Sequence, residues 1–213
     1  MQIKSKITVI IACFLSLTVL SLDLHADEFN ITALEVLVDK ENNIIIGIGA
    51  VEVTDKDGKI IKADKVTYKK NNELLIAEGS VDVFDNEGNI LKSDKVTYDK
   101  KIDIIITYGN SELILDQGYK VISNKIFYHN TKKIISSNQN STLTDIDGNI
   151  VVVDMFEYHL EKNLFSSVGN IKIIDIKKNK YFFKELHIDT KKKEMIGSDV
   201  SVILDQENFG VSK

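Results

Sequence analysis

The feature that most constrains the fold is an internal repeat with a period of about 30 residues, a length typical of stacked structural units. The phrase "KADKVTYKK" at 62–70 recurs as "KSDKVTYDK" at 92–100. Polar turns end in glycine at a constant spacing, and a tyrosine follows each of these glycines ten positions later. The glycines are Gly58, Gly88, Gly118 and Gly148, and the tyrosines are Tyr68, Tyr98, Tyr128 and Tyr158. Such self-similarity indicates a stacked array in which each unit buries its apolar face against its neighbours.

Each unit contains two stretches in which apolar and polar residues alternate with period two, the pattern of a β-strand with one buried face. In "IIKADKVTYK" at 60–69 we expect Val66 and Tyr68 on one face, with Ala63, Lys65 and Thr67 on the other. Turn-forming phrases such as "DKDG" and "KKNN" separate the stretches. The sequence therefore predicts an all-β, antiparallel repeat fold of about six units of about 30 residues, each with two strands.

A second glycine series falls in the middle of the predicted strands. Recurrent mid-strand glycine is typical of a bulge or a bend, so we interpret it as a bend that carries each long strand across two sheets. We also interpret small residues near the bend as inward-facing, which favours a partly hollow interior. They are Gly49, Gly79, Gly109, Ser111, Ser141 and Gly169. In the fourth unit Gln139 takes the glycine position.

The first 26 residues have the pattern of a secretory signal peptide. Lys4 and Lys6 precede an apolar run at 7–22, and Ala26 stands before an acidic pair. An anchor that stays in place is the alternative, although the run is shorter than the ~20 residues of a spanning helix. We expect an exported protein with one domain at 27–213, a range that contains no cysteine and so excludes disulfides and thiolate metal sites.

Composition and motifs argue against nucleic-acid binding and catalysis. The formal net charge is −5, every basic residue is lysine, and neither arginine nor tryptophan is present, so no nucleic-acid partner is expected. The chain lacks a nucleotide-binding loop, a nucleophile elbow and a metal signature, and we expect no cofactor and no enzyme activity. His129 and His159 occupy equivalent positions, with Glu157 nearby, but two aligned surface histidines are a simpler interpretation than a metal site.

A recurring acidic position lies just before each Val–x–Tyr motif. It carries Asp64, Asp94 and Asp154, with Asn124 in the third unit. Like charges in a row are unfavourable unless they are solvated or neutralised, and a lysine follows the first two aspartates. We interpret these residues as strand-edge or turn-shaping residues rather than as catalytic carboxylates.

The segments "ADKVTYKKNNELLIAEGSVDVFD" at 63–85 and "SDKVTYDK" at 93–100 resemble the OstA-like domain of lipopolysaccharide-transport proteins, shared by LptA and the N-terminal part of LptD. The resemblance extends over nearly all of 27–213. It implies a periplasmic β-jellyroll, or V-shaped "β-taco", whose hydrophobic groove holds the lipid A acyl chains of lipopolysaccharide. It also implies that edge strands pair with other jellyroll domains of this kind to form a bridge towards the outer membrane.

The resemblance assigns groove-lining positions to apolar residues of the repeat. They are Val51, Val53, Val66, Tyr68, Val81, Val83, Val96, Tyr98, Leu113, Leu115, Ile126, Tyr128, Phe156, Tyr158, Ile171 and Ile173. The fourth unit, 134–148, is unusually polar, so the groove is expected to narrow, open or be interrupted there.

The sequence leaves alternatives open for the extent of the protein and for its function. The chain fits a self-standing LptA-like protein or the N-terminal piece of a longer LptD-like chain tethered to the outer membrane. The alternative function is that of a structural or adhesive exported β-repeat protein whose sheets close on a dry core without a ligand. A periplasmic hydrolase is a distant third, because no catalytic constellation supports it.

Overall fold

The computed structural model describes residues 29–205, and its regular structure is almost entirely antiparallel β-strand, which confirms the predicted fold class. The strands are β1 (Phe29–Thr32), β2 (Glu35–Asp39), β3 (Ile44–Asp55), β4 (Ile60–Lys69), β5 (Leu74–Phe84), β6 (Ile90–Asp99), β7 (Ile104–Tyr108), β8 (Ser111–Ile114), β9 (Lys120–Ser123), β10 (Phe127–His129), β11 (Ile134–Ser137), β12 (Ser141–Thr144), β13 (Ile150–Val153), β14 (Phe156–His159), β15 (Leu164–Ile174), β16 (Lys180–Asp189), β17 (Glu194–Ser198) and β18 (Ser201–Ile203). A 3₁₀ turn at Lys70–Asn72 joins β4 to β5. No helix within residues 29–205 is long and apolar enough to cross a membrane.

The strands form two arms that face each other. Arm 1 contains β2, β7, β10, β11, β14, β17 and the halves of the long strands at 44–48, 65–69, 74–78, 95–99, 164–168 and 185–189. Arm 2 contains β1, β8, β9, β12, β13, β18 and the opposite halves of the same long strands. The long strands cross from one arm to the other at a row that we call the hinge, and the tips of the arms face each other across the mouth.

The hinge is built from glycine and aspartate, as the bend interpretation predicted. The strand register shifts at Ile48/Val51, Lys62/Lys65 and Glu78/Val81. Gly109 has φ +86°, which side chains disfavour, and a Cβ there would overlap with Oδ2 of Asp94. The same oxygen accepts a hydrogen bond from the Asn110 N–H at 3.0 Å. Asp94 therefore shapes the bend, in agreement with the interpretation of these aspartates as turn-shaping residues.

One face assignment was wrong because of this bend. Ala63 was expected to point away from the face of Val66, but it is 7% exposed and belongs to the same apolar core. The register shift between Lys62 and Lys65 places two exposed residues, Asp64 and Lys65, in succession. Strict alternation therefore fails across the hinge.

The tips of the two arms use different turns. In arm 2, Asp55 Oδ1 accepts hydrogen bonds from the N–H groups of Asp57 and Lys59 at 2.9 and 2.8 Å. In arm 1, every turn has a non-glycine residue in the left-handed conformation, again with the period of the repeat. These residues are Asn43, Glu73, Asp103, Lys133, Asn163 and Lys193, with φ between 50° and 59°.

Candidate functional site

The predicted groove-lining residues all lie between the arms. The alternation of each strand turns them inward, and every one of the sixteen is buried. In the N-terminal half these residues fill the space between the arms. Phe29 of β1, in arm 2, packs edge-on against Tyr68 of arm 1 with ring centroids 4.8 Å apart. Val66 and Tyr98 are fully buried there.

The interior opens in the C-terminal half as a cavity of about 430 Å³. Its apolar lining consists of Leu115, Tyr119, Val121, Leu143, Ile146, Val151, Tyr158, Phe165, Ile173, Tyr181, Ile188 and Met195. Ile146 and Met195 are 59% and 53% exposed, so the cavity communicates with solvent at the mouth and at the C-terminal edge. Leu143 belongs to the polar fourth unit, which is therefore a place where the groove opens.

Three of the sixteen predicted residues border this cavity: Leu115, Tyr158 and Ile173. The others lie in filled core or at the hinge. Sequence reasoning missed most of the lining, although the repeat carries the signal. Val121, Val151 and Tyr181 occupy one repeat position, and Phe165 and Met195 occupy another. Extending the alternation to the strand segments at 120–123, 150–153 and 180–183 identifies them.

The wall of the cavity carries aromatic side chains from both arms. Tyr119 of arm 2 and Tyr158 of arm 1 approach each other in this wall with ring centroids 6.5 Å apart. The Tyr158 hydroxyl lies 3.1 Å from Thr190 Oγ1, and the Tyr181 hydroxyl donates to Asp175 Oδ2 at 2.9 Å. These phenols keep their polar ends at the mouth, so the deeper surface is apolar.

The rim of the cavity is charged. Lys120, Lys193, Asp145, Asp147, Asp175 and Glu194 border it. Desolvation acts to raise the pKa of Asp175, but the hydrogen bonds that its carboxylate accepts from Asn179, Tyr181 and Lys177 together outweigh it and lower the pKa. Such a rim holds polar groups at the surface and leaves the apolar space to hydrocarbon.

The interior of the hinge around its serines is filled rather than hollow, although a second cavity of about 350 Å³ lies beside Ser137, Phe156 and Ser167. Ser93 and Ser111 hydroxyls lie 3.0 Å apart, and the Ser123 hydroxyl lies 3.0 Å from those of Ser137 and Ser141. All are buried and bonded. The prediction that small residues leave a hollow interior is wrong here. Three hinge glycines face the aspartates of the recurring acidic position, Gly49 faces Leu34, and the serines bond to one another and to hinge carbonyls.

The aligned histidines do not form a cluster. His129 and His159 both pair with Ile134, from opposite sides, so two strand spacings of about 4.8 Å separate them. His159 Nε2 lies 2.5 Å from Glu157 Oε1 on the outer face. Within residues 29–205, no three His, Asp or Glu side chains are grouped as ligands for one metal ion.

Neither a comparison with protein-family profiles nor one with curated proteins finds a match. Among solved structures, the chain matches LptH from Pseudomonas aeruginosa, described as the LptA homologous periplasmic component of the conserved lipopolysaccharide transport device. The alignment covers 84% of this chain and 98% of that chain, with 11% identity and a TM-score of 0.26. A likeness at this TM-score carries no argument about the present chain, whose fold and groove are defined by its own residues.

Proposed function

We propose that this chain is a periplasmic lipopolysaccharide-transport module that shields lipid A acyl chains between its two arms and bridges towards the outer membrane. The observation that carries the proposal is the apolar cavity of about 430 Å³, open at the mouth and at the C-terminal edge. Each methylene group that enters such a space contributes ~0.8 kcal/mol. The OstA-like repeat motifs support the same proposal. Export would use the signal peptide at 1–26, which lies outside the described residues.

The division of the site into an apolar interior and a charged rim suits a lipid with a large polar head. Acyl chains would lie against Phe165, Ile173 and Ile188, while the head stays at the mouth beside Lys193. Because the rim also carries acidic residues, we expect the acyl chains to supply most of the binding free energy.

The lipid proposal is tested by photocrosslinking in cells, with a benzophenone amino acid at Ile173 and a control at Lys95. Ile173 borders the cavity, whereas Lys95 lies on the outer face and is paired with Glu78 at 2.9 Å. We expect a lipopolysaccharide adduct at Ile173 and none at Lys95. An exported, folded protein without an adduct at Ile173 would refute the proposal.

The ends of the array support pairing with sister jellyroll domains. Within residues 29–205, β1 and β2 form one end, and β17 and β18 form the other. Exposed apolar residues lie at both ends, including Val38, 58% exposed, and Ile196, 75% exposed. Open edges of this kind favour strand addition.

The internal pairing predicts the register of such an interface. In arm 1, Ile44 pairs with Lys69, Leu74 with Asp99 and Leu164 with Asp189, always at the same separation in sequence. The same separation would pair Glu194 with a residue at position 219 of a continued array. Asp39 is the residue of this chain that is equivalent to position 219, because it lies six repeats of 30 residues earlier. The sister strand that follows β17 is therefore equivalent to β2, with Met195 opposite the residue equivalent to Val38.

A second copy of the chain provides the test of this register. Since 27–213 lacks cysteine, Met195→Cys and Val38→Cys chains can be mixed under oxidising conditions. We expect a disulfide-linked heterodimer from this pair and none from Met195→Cys mixed with Leu37→Cys, which is one residue out of register; absence of the first heterodimer would refute pairing between copies.

A structural or adhesive β-repeat protein is the second candidate. The filled N-terminal half, where Val53, Val66 and Val96 have no exposed surface, favours it. It predicts that Ile173 gives no lipid adduct, so the crosslinking experiment separates the two functions.

A further inference from the structure

Two lysines of arm 1 form ion pairs across the mouth in the N-terminal half of the array. Lys100 Nζ of arm 1 lies 2.6 Å from Asp57 Oδ2 and 3.4 Å from Asp55 Oδ2 of arm 2. One repeat further along, Lys133 of arm 1 pairs with Glu87 of arm 2. Each pair joins a turn of one arm to a turn of the other, so together they hold the arm tips against each other.

Beneath the first pair lies a buried polar cluster. Lys59 Nζ donates to the Tyr98 hydroxyl at 3.3 Å, and this hydroxyl donates to Asp103 Oδ1 at 2.9 Å. Lys59 also lies 3.8 Å from Asp55 Oδ2. The side chains of Lys59 and Asp55 are only 5% and 1% exposed. We call this set the clamp: Asp55, Asp57, Lys59, Tyr98, Lys100 and Asp103.

The charges of the clamp depend on one another. Burial lowers the pKa of Lys59, although Asp55 and Asp103 oppose this change. Burial also acts against Lys100, but hydrogen bonds with Asp57 and Tyr98 outweigh it and raise the pKa. A buried charge that loses its partner is strongly destabilised. The clamp is therefore expected to form or separate as a unit rather than one bond at a time.

The clamp occurs in one repeat, although the sequence provides equivalent positions elsewhere. The positions equivalent to Lys59 carry Asn89, Tyr119, Asn149 and Asn179, and those equivalent to Lys100 after it carry Asn130, Leu160 and Thr190. Around Tyr119 and Thr190, uncharged residues occupy the positions equivalent to Lys59 and Lys100, and there the cavity is open. The interior is therefore closed where charged side chains meet across the mouth, whereas the inward apolar pattern is the same in the open and closed repeats.

We propose that the clamp, supported by the Lys133–Glu87 pair, is a gate over the N-terminal half of the groove. While the gate is closed, a ligand occupies the C-terminal cavity; when it opens, acyl chains extend into the N-terminal half. The lipid in this inference rests on the proposed function, but the movement of the gate can be measured without any ligand.

The movement is tested by pulsed electron–electron double resonance, which measures distances between two nitroxide labels on a chain of residues 27–213. One label pair, Lys56→Cys with Ile102→Cys, spans the mouth at the clamp. The other, Ile146→Cys with Lys192→Cys, occupies equivalent positions three repeats later at the cavity. We expect the clamp pair to give a narrow distance distribution that becomes longer and broader in Lys100→Met/Lys133→Met.

The controls separate gating from loss of fold. Lys95→Met removes an ion pair on the outer face and should leave both distributions unchanged. The cavity pair should keep its distribution in Lys100→Met/Lys133→Met if the array is intact. Should that variant fail to fold, Asp57→Asn, in a side chain that is 58% exposed, is expected to broaden the clamp distribution in the same direction. An unchanged clamp distribution in the folded variant would overturn the gate.

The ligand is tested with purified lipopolysaccharide and a benzophenone amino acid at two equivalent aromatic positions. Tyr68 lies in the filled half and Tyr158 borders the cavity. We expect the wild-type chain to give an adduct at Tyr158 only, and Lys100→Met/Lys133→Met to give adducts at both. An adduct at Tyr68 with the clamp intact would overturn the gate. Absence of an adduct at both positions would refute the proposed function, and the distance measurements would still show whether the clamp acts as a gate.

Discussion

The glycines of the bends and turns provide the sharpest quantitative prediction, because they separate backbone strain from steric overlap. Gly109 and Gly148 have nearly equal φ values, +86° and +91°. A non-glycine residue in a sparsely populated backbone region costs about 1–3 kcal/mol. Gly148→Ala should lower the free energy of unfolding by this amount alone, since the nearest atom to the new Cβ, Ile176 Cγ2, is 3.8 Å away.

Gly109→Ala adds a second penalty. The new methyl group would overlap with Oδ2 of Asp94, so the carboxylate must move and lose the hydrogen bond from the Asn110 N–H. This bond is exposed and contributes about 1 kcal/mol. We therefore expect Gly109→Ala to destabilise the chain by about 2–4 kcal/mol, roughly 1 kcal/mol more than Gly148→Ala.

Urea denaturation followed by circular dichroism measures both variants, and a double-mutant cycle isolates the overlap. In an Asp94→Gly background, which removes both the carboxylate and the Asp94 Cβ that would lie 3.0 Å from the new methyl group, Gly109→Ala should cost only the backbone penalty, which corresponds to a coupling free energy of about 1 kcal/mol. Equal losses for Gly109→Ala and Gly148→Ala, with no coupling to Asp94, would show that the aspartate does not support the bend.

Three further predictions concern residues that recur at fixed positions of the repeat. Tyr128→Phe should leave stability unchanged or raise it by about 1 kcal/mol, because the Tyr128 hydroxyl is buried without a partner within residues 29–205, whereas Tyr98→Phe should lower it by about 1–3 kcal/mol; urea midpoints compare the two. Glu73→Gly should raise the free energy of unfolding by up to about 1 kcal/mol, because Glu73 has φ +50° and glycine adopts this conformation without strain; the thermal midpoint, which should rise, measures the change. Burial opposes ionisation of Asp103, but accepted hydrogen bonds outweigh it and lower the pKa, so this carboxylate stabilises the fold above its unfolded value of 3.8 and loses that effect as pH falls through the folded value. The stability difference between wild type and Asp103→Asn should accordingly be constant above about pH 5 and shrink as the pH falls below 3.8, and a difference that stays constant there would contradict the assignment.

The repeat made the strands, the turns and the bend predictable. Period-two alternation located the strands, and the mid-strand glycines located the hinge, because each feature is local and recurs. The inward position of Ala63 was not predictable from alternation, since the register shift at the hinge depends on the geometry of both arms. The positive φ of Lys133 was likewise hidden, because lysine carries no turn signal.

The extent of the cavity could not be read from the inward residues. Tyr98, Tyr128 and Tyr158 occupy one repeat position, yet Tyr98 lies in a buried charged cluster, Tyr128 has no partner within residues 29–205, and Tyr158 borders open space. Their different surroundings come from residues on the opposite arm. Contacts across the mouth, such as that between Lys59 and Tyr98, join positions that are not one repeat apart, so no periodic signal marks them.

The two halves of the groove therefore share one inward pattern and differ mainly at their rims. Val81 and Ile171 are equivalent and almost equally buried. The mouth is nevertheless bridged by Lys100 in one half and bordered by Thr190, at the equivalent position, in the other. Adding repeats lengthens the apolar surface, whereas the charges on the turns decide how much of it is open.

An ion pair introduced across the C-terminal mouth should therefore close the cavity there. Thr190→Lys would face Asp145 and Asp147, which occupy the positions equivalent to the two aspartates of the clamp that bind Lys100. The new ion pair should narrow the C-terminal mouth, because it would join the turns of the two arms as Lys100 does in the N-terminal half. Label distances between Ile146→Cys and Lys192→Cys measure the opening, and a distance distribution unchanged from that of the Thr190 chain would show that the turns do not control it.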